Sequence, residues 1–205
     1  MFNKKITIRP ENKKDFREVE LLTREAFWDV YKPGCDEYFV LHNLRNAPAF
    51  VRKLDYLACD GDMIVVNIVY SEAKVINNKK EEFIVLCMGP FAVLPGYQKK
   101  GIGKKLLNET IEKAKGFNYK AIIIFGNPEF YHKFGFKNAK EYNIQTADGQ
   151  NFEPFMALEL SENSLKGIEG KFYYDPCFEV KKEELELFEK EFPYREKHVT
   201  NTQLK

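Results

Sequence analysis

Between an apolar strand pattern ending at Phe91-Ala92-Val93-Leu94 and a helical pattern starting at Ile102 lies the loop Gly96-Tyr97-Gln98-Lys99-Lys100-Gly101-Ile102-Gly103. A loop that opens a helix presents backbone N–H groups without intrahelical partners, and the helix dipole favours negative charge there. Glycines let the backbone approach an anion closely. Lys99, Lys100 and Lys104 add positive charge. The following helix turns Ile102, Leu106, Ile111 and Ala114 inward and Lys105, Asn108, Glu109 and Glu112 outward, and it ends near Gly116. Ala121-Ile122-Ile123-Ile124-Phe125 is then a fully apolar strand. Strand, helix, strand in this order implies a right-handed parallel crossover. The loop is shaped for a pyrophosphate.

The rest of the chain supplies a mixed α/β frame. Lys5 to Arg9 reads as a first strand. Asn12 caps a helix whose face carries Phe16, Val19, Leu22, Ala26 and Val30, stopped by Pro33-Gly34. A second helix spans Glu37 to Leu44. Strands are expected over Lys53 to Cys59, Met63 to Tyr70 and Phe83 to Met88, the last buried on both faces. Gly89-Pro90 interrupts that run before Phe91; proline offers the ladder no donor, so a bulge or splay is predicted there. Gly126-Asn127-Pro128 leads into a short helix, Glu129 to Phe134, with Gly135 placed to cap it in the left-handed conformation. Further strands are expected near Phe136 to Asn143, Pro154 to Leu160 and Lys171 to Tyr174. A charged helix follows over Lys181 to Phe192, with Leu185, Phe188 and Phe192 on its apolar face, and a polar end that frays beyond Tyr194. The organisation expected is one domain over residues 1–162 and an extension over 163–205 packed on it.

Composition narrows the function classes. The 205 residues carry 32 Lys+Arg against 31 Asp+Glu, and this balance argues against a general nucleic-acid binder. A chain of this length buries enough surface to fold without disulfides or metal. Cys35, Cys59, Cys87 and Cys177 form no CxxC pair, and His42, His132 and His198 complete no zinc spacing. Reduced thiols in a cytoplasmic protein are expected, with Cys87 an inert core thiol. No signal peptide is expected from the N-terminal residues, and no apolar run is long enough for a membrane span.

Three kinds of glycine loop are separable by spacing. A phosphate-binding GxxxxGK[ST] loop fails because Ile102-Gly103 stands where Lys and Ser/Thr should be. A dinucleotide GxGxxG loop fails because Leu106 takes the third glycine position. The run Phe91-Ala92-Val93 followed by Gln98-Lys99-Lys100-Gly101-Ile102-Gly103 resembles the Q/R-x-x-G-x-G/A motif of the GCN5-related N-acetyltransferase (GNAT) superfamily. Asn127-Pro128-Glu129-Phe130-Tyr131-His132-Lys133-Phe134-Gly135-Phe136 is similar to that family's second signature, and the two occur in the family's order. The resemblance extends over about Ile6 to Leu160 and is nearest to the bacterial YhbS-like branch, which also carries a C-terminal extension resembling Lys166 to Val180.

That resemblance implies a mixed, mostly antiparallel twisted sheet with a central splayed parallel strand pair, flanked by helices. It implies acetyl-CoA as cosubstrate, no metal, and transfer of the acetyl group to a primary amine by direct attack on the thioester. The pantetheine arm would fill the gap between the Phe83–Leu94 and Ala121–Phe125 strands. Backbone groups of Phe91, Ala92 and Val93 would contact pantetheine and the acetyl carbonyl. Gln98, Lys99, Lys100, Gly101, Ile102, Gly103 and Lys104 would hold the pyrophosphate. Asn127 would reach pantetheine or substrate, and Tyr131 matches the family's general acid. Glu25, Asp29, Glu72 and Glu82 are carboxylates placed by position alone, and none is assigned as base. The expected partner is an amine-bearing small molecule or a peptide or protein, with no nucleic acid and no membrane; a homodimer is left open. The competing reading is a catalytically silent acyl-CoA-binding or regulatory module.

Overall fold

The computed structural model describes residues 6–201 and 203. Strand β1 (Ile6–Pro10) leads into helix α1 (Phe16–Phe27), and helix α2 (Glu37–Leu44) follows. Next come β2 (Tyr56–Asp60), β3 (Met63–Ile76), β4 (Glu82–Val93), helix α3 (Ile102–Lys115) and β5 (Ala121–Phe125). Helix α4 (Pro128–Tyr131), β6 (Lys137–Asn138), β7 (Ile144–Thr146), β8 (Phe155–Glu159), β9 (Gly170–Tyr173) and helix α5 (Lys182–Glu189) complete the order. The sheet runs β1-β2-β3-β4-β5-β8-β6, and β9 joins the far end of β3 while pairing with β7. Every pairing is antiparallel except β4 with β5 and β7 with β9. The mixed sheet with a central parallel pair is therefore the expected one.

Alternation along the strands sorts the core. Leu86 and Met88 of β4, with Ile122 and Ile124 of β5, face α3 and pack with Leu106, Leu107 and Ile111. Val85, Cys87, Ala121 and Ile123 face the other way, against Phe155 and Phe172. Farther along that second face, α1 and α2 cover the sheet through Val19, Leu22, Leu41 and Leu44, which meet Leu57, Val69 and Ala92. A strand buried on both faces has no polar side, which explains the unbroken apolar run of β5.

Several expected boundaries shift for local reasons. Strand β1 begins at Ile6; Lys5 lies outside the described residues. The first helix stops at Phe27 rather than running past Val30: the Trp28 N–H makes the last helical bond to the Arg24 carbonyl, and Asp29 turns to φ 60°. Lys53 to Asp55 is not strand, because the Leu54 and Asp55 amides bond back to Val51 and Arg52 in a tight turn. The expected Phe83–Met88 and Phe91–Leu94 strands are one strand with a kink. Strand pairing near Phe136 to Asn143 covers only Lys137–Asn138, since the Asn138 side chain accepts the Lys140 N–H at 2.9 Å and starts a turn.

The described part of the tail does not fray. Helix α5 stops at Glu189 rather than Phe192, and Phe188 of the helix and Phe192 of the turn after it are buried against Tyr38 and Phe39 of α2, with Leu185 half-buried beside them. Beyond Pro193 the chain folds back over the α1–α2 turn. The Trp28 indole donates to the Glu196 carbonyl at 3.0 Å, Arg195 pairs with Glu25 at 2.8 Å, and His198 meets Asp29 at 3.1 Å. Arg24, buried, lies 4.1 Å from the Trp28 ring centre. A cation held between aromatic faces anchors the polar tail that composition alone assigns to solvent.

Candidate active site

The site grows from one irregularity in β4. Ile68 opposes Phe91 but Tyr70 opposes Met88, so β4 carries one more residue than β3 across Gly89-Pro90. That is a β-bulge. A Cβ on Gly89 would come 2.8 Å from Val69 Cγ2 and 3.1 Å from Leu44 Cδ2, so only glycine fits the bend beneath α2. On its other edge β4 pairs with β5 only through Leu86–Ile122 and Cys87–Ile123. The parallel ladder ends where the bulge begins, and the two strands separate beyond it.

The separated stretch offers backbone groups. The Leu94 N–H donates to the Val65 carbonyl at 2.9 Å, toward β3. Strand alternation then turns the amide and carbonyl groups of Phe91 and Val93 away from β3, into the gap. The Gln98 side-chain amide donates to the Val93 carbonyl at 3.2 Å and ties the loop to the strand end. Ala92 is buried on the α1–α2 face, while the Phe91 and Val93 side chains pack on the α3 side. Of the three strand residues, Phe91 and Val93 thus offer their backbones to the gap, whereas Ala92 serves as packing.

The loop that follows positions α3. Lys99 has φ 59° and Gly101 φ 79°, and Gly101 is the residue from which α3 begins. The first bond of α3 runs from the Lys105 N–H to the Gly101 carbonyl, so the amides of Ile102, Gly103 and Lys104 precede the helical ladder. Gly103 serves a different purpose from Gly101. A Cβ there would stand 2.9 Å from Val93 Cγ2 and 3.1 Å from Phe91 Cζ, so its absence lets α3 lie against the end of β4. Lys99, Lys100, Lys104 and Lys105 are all exposed at this end of the helix, and the Lys100 ammonium lies 5.0 Å from the Tyr97 ring centre. Fixed N–H groups, a helix dipole and several lysines make this the natural seat for a polyanion.

The second signature lies on the same side of the sheet. Asn127 caps α4 by accepting the Glu129 N–H at 2.9 Å, and Gly135 adopts φ 88° as expected. Tyr131 packs edge-on to Phe130 and Phe136, with its hydroxyl 3.8 Å from Met88 Sδ, immediately before the bulge. Gly126 makes room: a Cβ there would fall 2.3 Å from Tyr131 Cε2. Burial pushes the Tyr131 hydroxyl up, and the field of Tyr31 adds to the effect. His132 points to solvent, its Nδ1 bonded to the Phe136 carbonyl at 2.8 Å. Cys87 lies inside the paired stretch, where burial pushes its thiol up to about 12.

The structure also brings in residues that motif reading passes over. Of the three aromatics flanking the α1–α2 turn, Trp28 and Tyr38 are buried, and only Tyr31 is exposed. Glu37, at the start of α2, has its carboxyl raised to about 7 by burial, with the nearby Asp36 charge adding and Lys32 opposing. The signal was available: Glu37 stands four and seven residues before Leu41 and Leu44, an acid on an apolar stripe. Among the described residues no group of three or more His, Cys, Asp and Glu is arranged to hold a metal ion. Nor is any helix among them long and apolar enough to cross a membrane.

A parallel strand pair that parts at a bulge, with a glycine turn and a helix N-terminus at the mouth of the gap, defines an acetyltransferase fold of the GNAT class. The chain carries a match to the GNAT acetyltransferase domain and resembles the YhbS-like N-acetyltransferases. Residues 54–138 match the family described as the acetyltransferase (GNAT) domain. The chain is similar to the uncharacterized N-acetyltransferase YhbS of Escherichia coli, 25% identical over 171 residues that cover 83% of this chain and 97% of YhbS. Among solved structures it resembles Escherichia coli YhbS in complex with CoA, with a TM-score of 0.76, 24% identity, and coverage of 85% of this chain and 92% of that one. It also resembles a GNAT family acetyltransferase from Brucella melitensis in complex with acetyl-CoA, with a TM-score of 0.70, 24% identity, and coverage of 86% and 100%.

Proposed function

We propose that the protein is an acetyl-CoA-dependent N-acetyltransferase that moves the acetyl group to a primary amine by direct attack on the thioester. The observation that carries this reading is the unpaired edge of β4: the backbone of Phe91 and Val93 faces a gap that runs to the α3 N-terminus. An extended pantetheine arm can add to that edge as a strand would. The amides of Gly101 to Lys104, with Lys99, Lys100 and Lys104, receive the pyrophosphate, and Asn127 bounds the far side of the gap. The relatives solved with CoA and acetyl-CoA support the same cosubstrate.

The chemistry follows from the groups around the gap. The amine nitrogen bonds to the thioester carbonyl carbon. A Phe91 or Val93 N–H stabilises the charge gathering on the carbonyl oxygen, commonly the largest single catalytic contribution. When the carbon–sulfur bond breaks, the thiolate takes its proton from the Tyr131 hydroxyl. A phenol is protonated at neutral pH at its ordinary value of ~10, and burial, which pushes the Tyr131 hydroxyl up, keeps it so. The nitrogen keeps one proton in the amide and must pass its other to a base, while solvent returns a proton to Tyr131.

Thermal melting with acetyl-CoA tests this reading, with NADH and ATP as controls. At one hundred times Kd, linkage adds ~2.7 kcal/mol. For a chain of this size that raises Tm by roughly 5–10 °C. A rise with acetyl-CoA and not with NADH or ATP is expected; no shift at saturating acetyl-CoA would overturn the assignment.

A further inference from the structure

Acetyl transfer to an amine leaves a proton to be removed at neutral pH. The carboxylates marked by position in the sequence are occupied elsewhere. Glu25 pairs with Arg195, and Glu82 with Lys74 at 2.6 Å. Glu72 accepts the Tyr119 hydroxyl at 2.7 Å. Asp29 accepts the Gly34 N–H at 2.7 Å and faces His198.

Helix α2 presents another carboxyl. Glu37, Leu41 and Leu44 lie four and then three residues apart and share one helix face. That face lies on the sheet: Leu41 and Leu44 are fully buried with Val69 and Ala92, and Leu44 stands over Gly89. Tyr38 and Phe39, on other faces of α2, pack toward α5 instead. Glu37 is therefore the acidic end of the stripe that roofs the bulge where β4 and β5 part. Its Oε2 accepts the Asp36 N–H at 3.1 Å. Among the described residues no Lys, Arg or His makes an ion pair with it, and the neighbouring Lys32 pairs with Asp36. Tyr31, half exposed, lies in the field of Glu37, and Tyr131 lies in the field of Tyr31. Tyr31 thus shares its electrostatic surroundings with both Glu37, on the α1–α2 side, and Tyr131, on the α3 side.

Resting on the acetyl-transfer reading, we propose that Glu37 is the general base, taking the proton that the acceptor's ammonium sheds as its nitrogen attacks the thioester. The carboxyl then returns the proton to solvent through the mouth beside Tyr31. The groups that set its ionisation are Asp36 and Lys32, with Tyr31 and Cys35 in its field. A carboxyl at about 7 is half ionised at neutral pH, which suits a base that must also release its proton.

The test is kcat/KM against pH for a panel of primary amines, with wild type, Glu37→Gln and Glu37→Asp, and the acetyl-CoA melting shift measured on each. The wild-type rate is expected to rise through an ionisation near 7 beyond that of the free amine. Glu37→Gln should lose about 100-fold or more and that ionisation, while its acetyl-CoA melting shift persists. Glu37→Asp should recover part of the rate. A Glu37→Gln enzyme with wild-type rate and profile would overturn the proposal. Should Glu37→Gln fail to fold, a wild-type profile lacking the ionisation near 7 overturns it equally. Wild-type protein that binds acetyl-CoA but acetylates no amine would instead bring down the acetyl-transfer reading, and Glu37's role with it.

Discussion

Strand β4 behaves as two strands joined at Gly89-Pro90. At Leu86 and Cys87 it is sealed, with β3 on one edge and β5 on the other, and fully buried Val85 and Leu86 stand on its two faces. Past Pro90 it keeps β3 and loses β5, while Phe91 and Val93 pack on the α3 side and Ala92 stays buried beneath α1 and α2. One extra backbone residue makes the difference. The lesson is that a ligand gap can be opened in a sheet without thinning its core, by ending one ladder early and leaving backbone groups to be paired by whatever enters.

Substitutions on either side of the bulge should therefore fail differently. The largest expected effects come from Tyr131→Phe and Leu86→Ala. Tyr131→Phe should lower kcat by about 10²–10⁴-fold while leaving Tm and acetyl-CoA affinity near wild type, because it removes a proton donor and little packing. Leu86→Ala, fully buried in the sealed half, should cost ~2–5 kcal/mol by chemical denaturation, yet the protein that remains folded should bind acetyl-CoA normally. If Leu86→Ala weakened acetyl-CoA binding as much as it weakens stability, the two halves would not be separable.

A smaller effect is expected where α3 meets the open half. Gly103→Ala inserts a Cβ 2.9 Å from Val93 and should cost ~1–3 kcal/mol, with weaker acetyl-CoA binding as the helix is pushed off the strand. Gly96→Ala has nothing within 4 Å and should stay within ~0.5 kcal/mol of wild type. Calorimetric titration of the pair sharpens the contrast between a glycine that permits close packing and one that merely sits in a loop.

The smallest effect separates two raised carboxyls. Asp55 is buried beside Glu11, whose carboxylate is held by Arg45 at 3.1 Å, and burial with the Glu11 charge pushes Asp55 up to about 9. The folded state keeps a proton that the unfolded chain releases at ~3.9. The associated stability is full below that value and drains as pH climbs through about 9. Asp55→Asn should flatten this fall in Tm without changing the pH profile of activity, whereas Glu37→Gln should alter the activity profile. An activity change in Asp55→Asn would blur the distinction between a structural carboxyl and a catalytic one.

How much of this was legible in the sequence depended on whether the cause was local. Gly89-Pro90 announced the bulge because proline cannot feed a ladder, whereas the positive φ of Gly101 came only with the structure. Gly135 was readable as a helix cap because that position needs a positive φ. Val30 was misread as helical because its apolar spacing says nothing of Asp29, whose carbonyl is taken by Thr200 and Gln203 from the distant tail. The tail itself looked solvated, since only the fold brings Arg195, Glu196 and His198 to Glu25, Trp28 and Asp29. Glu37 shared an apolar face with Leu41 and Leu44 in the spacing alone, but that Leu44 stands over Gly89 depends on where α2 crosses the sheet.

The central claim is that the unpaired edge of β4 and the α3 N-terminus form one binding surface. Backbone amide NMR of the full chain titrated with acetyl-CoA tests it directly. The account predicts large shift changes at Phe91, Val93 and Gly101 to Lys104, with Leu86, Cys87, Ile122 and Ile123 nearly still. Changes concentrated in the paired stretch or on the α5 side, with Phe91 and Val93 unmoved, would contradict it.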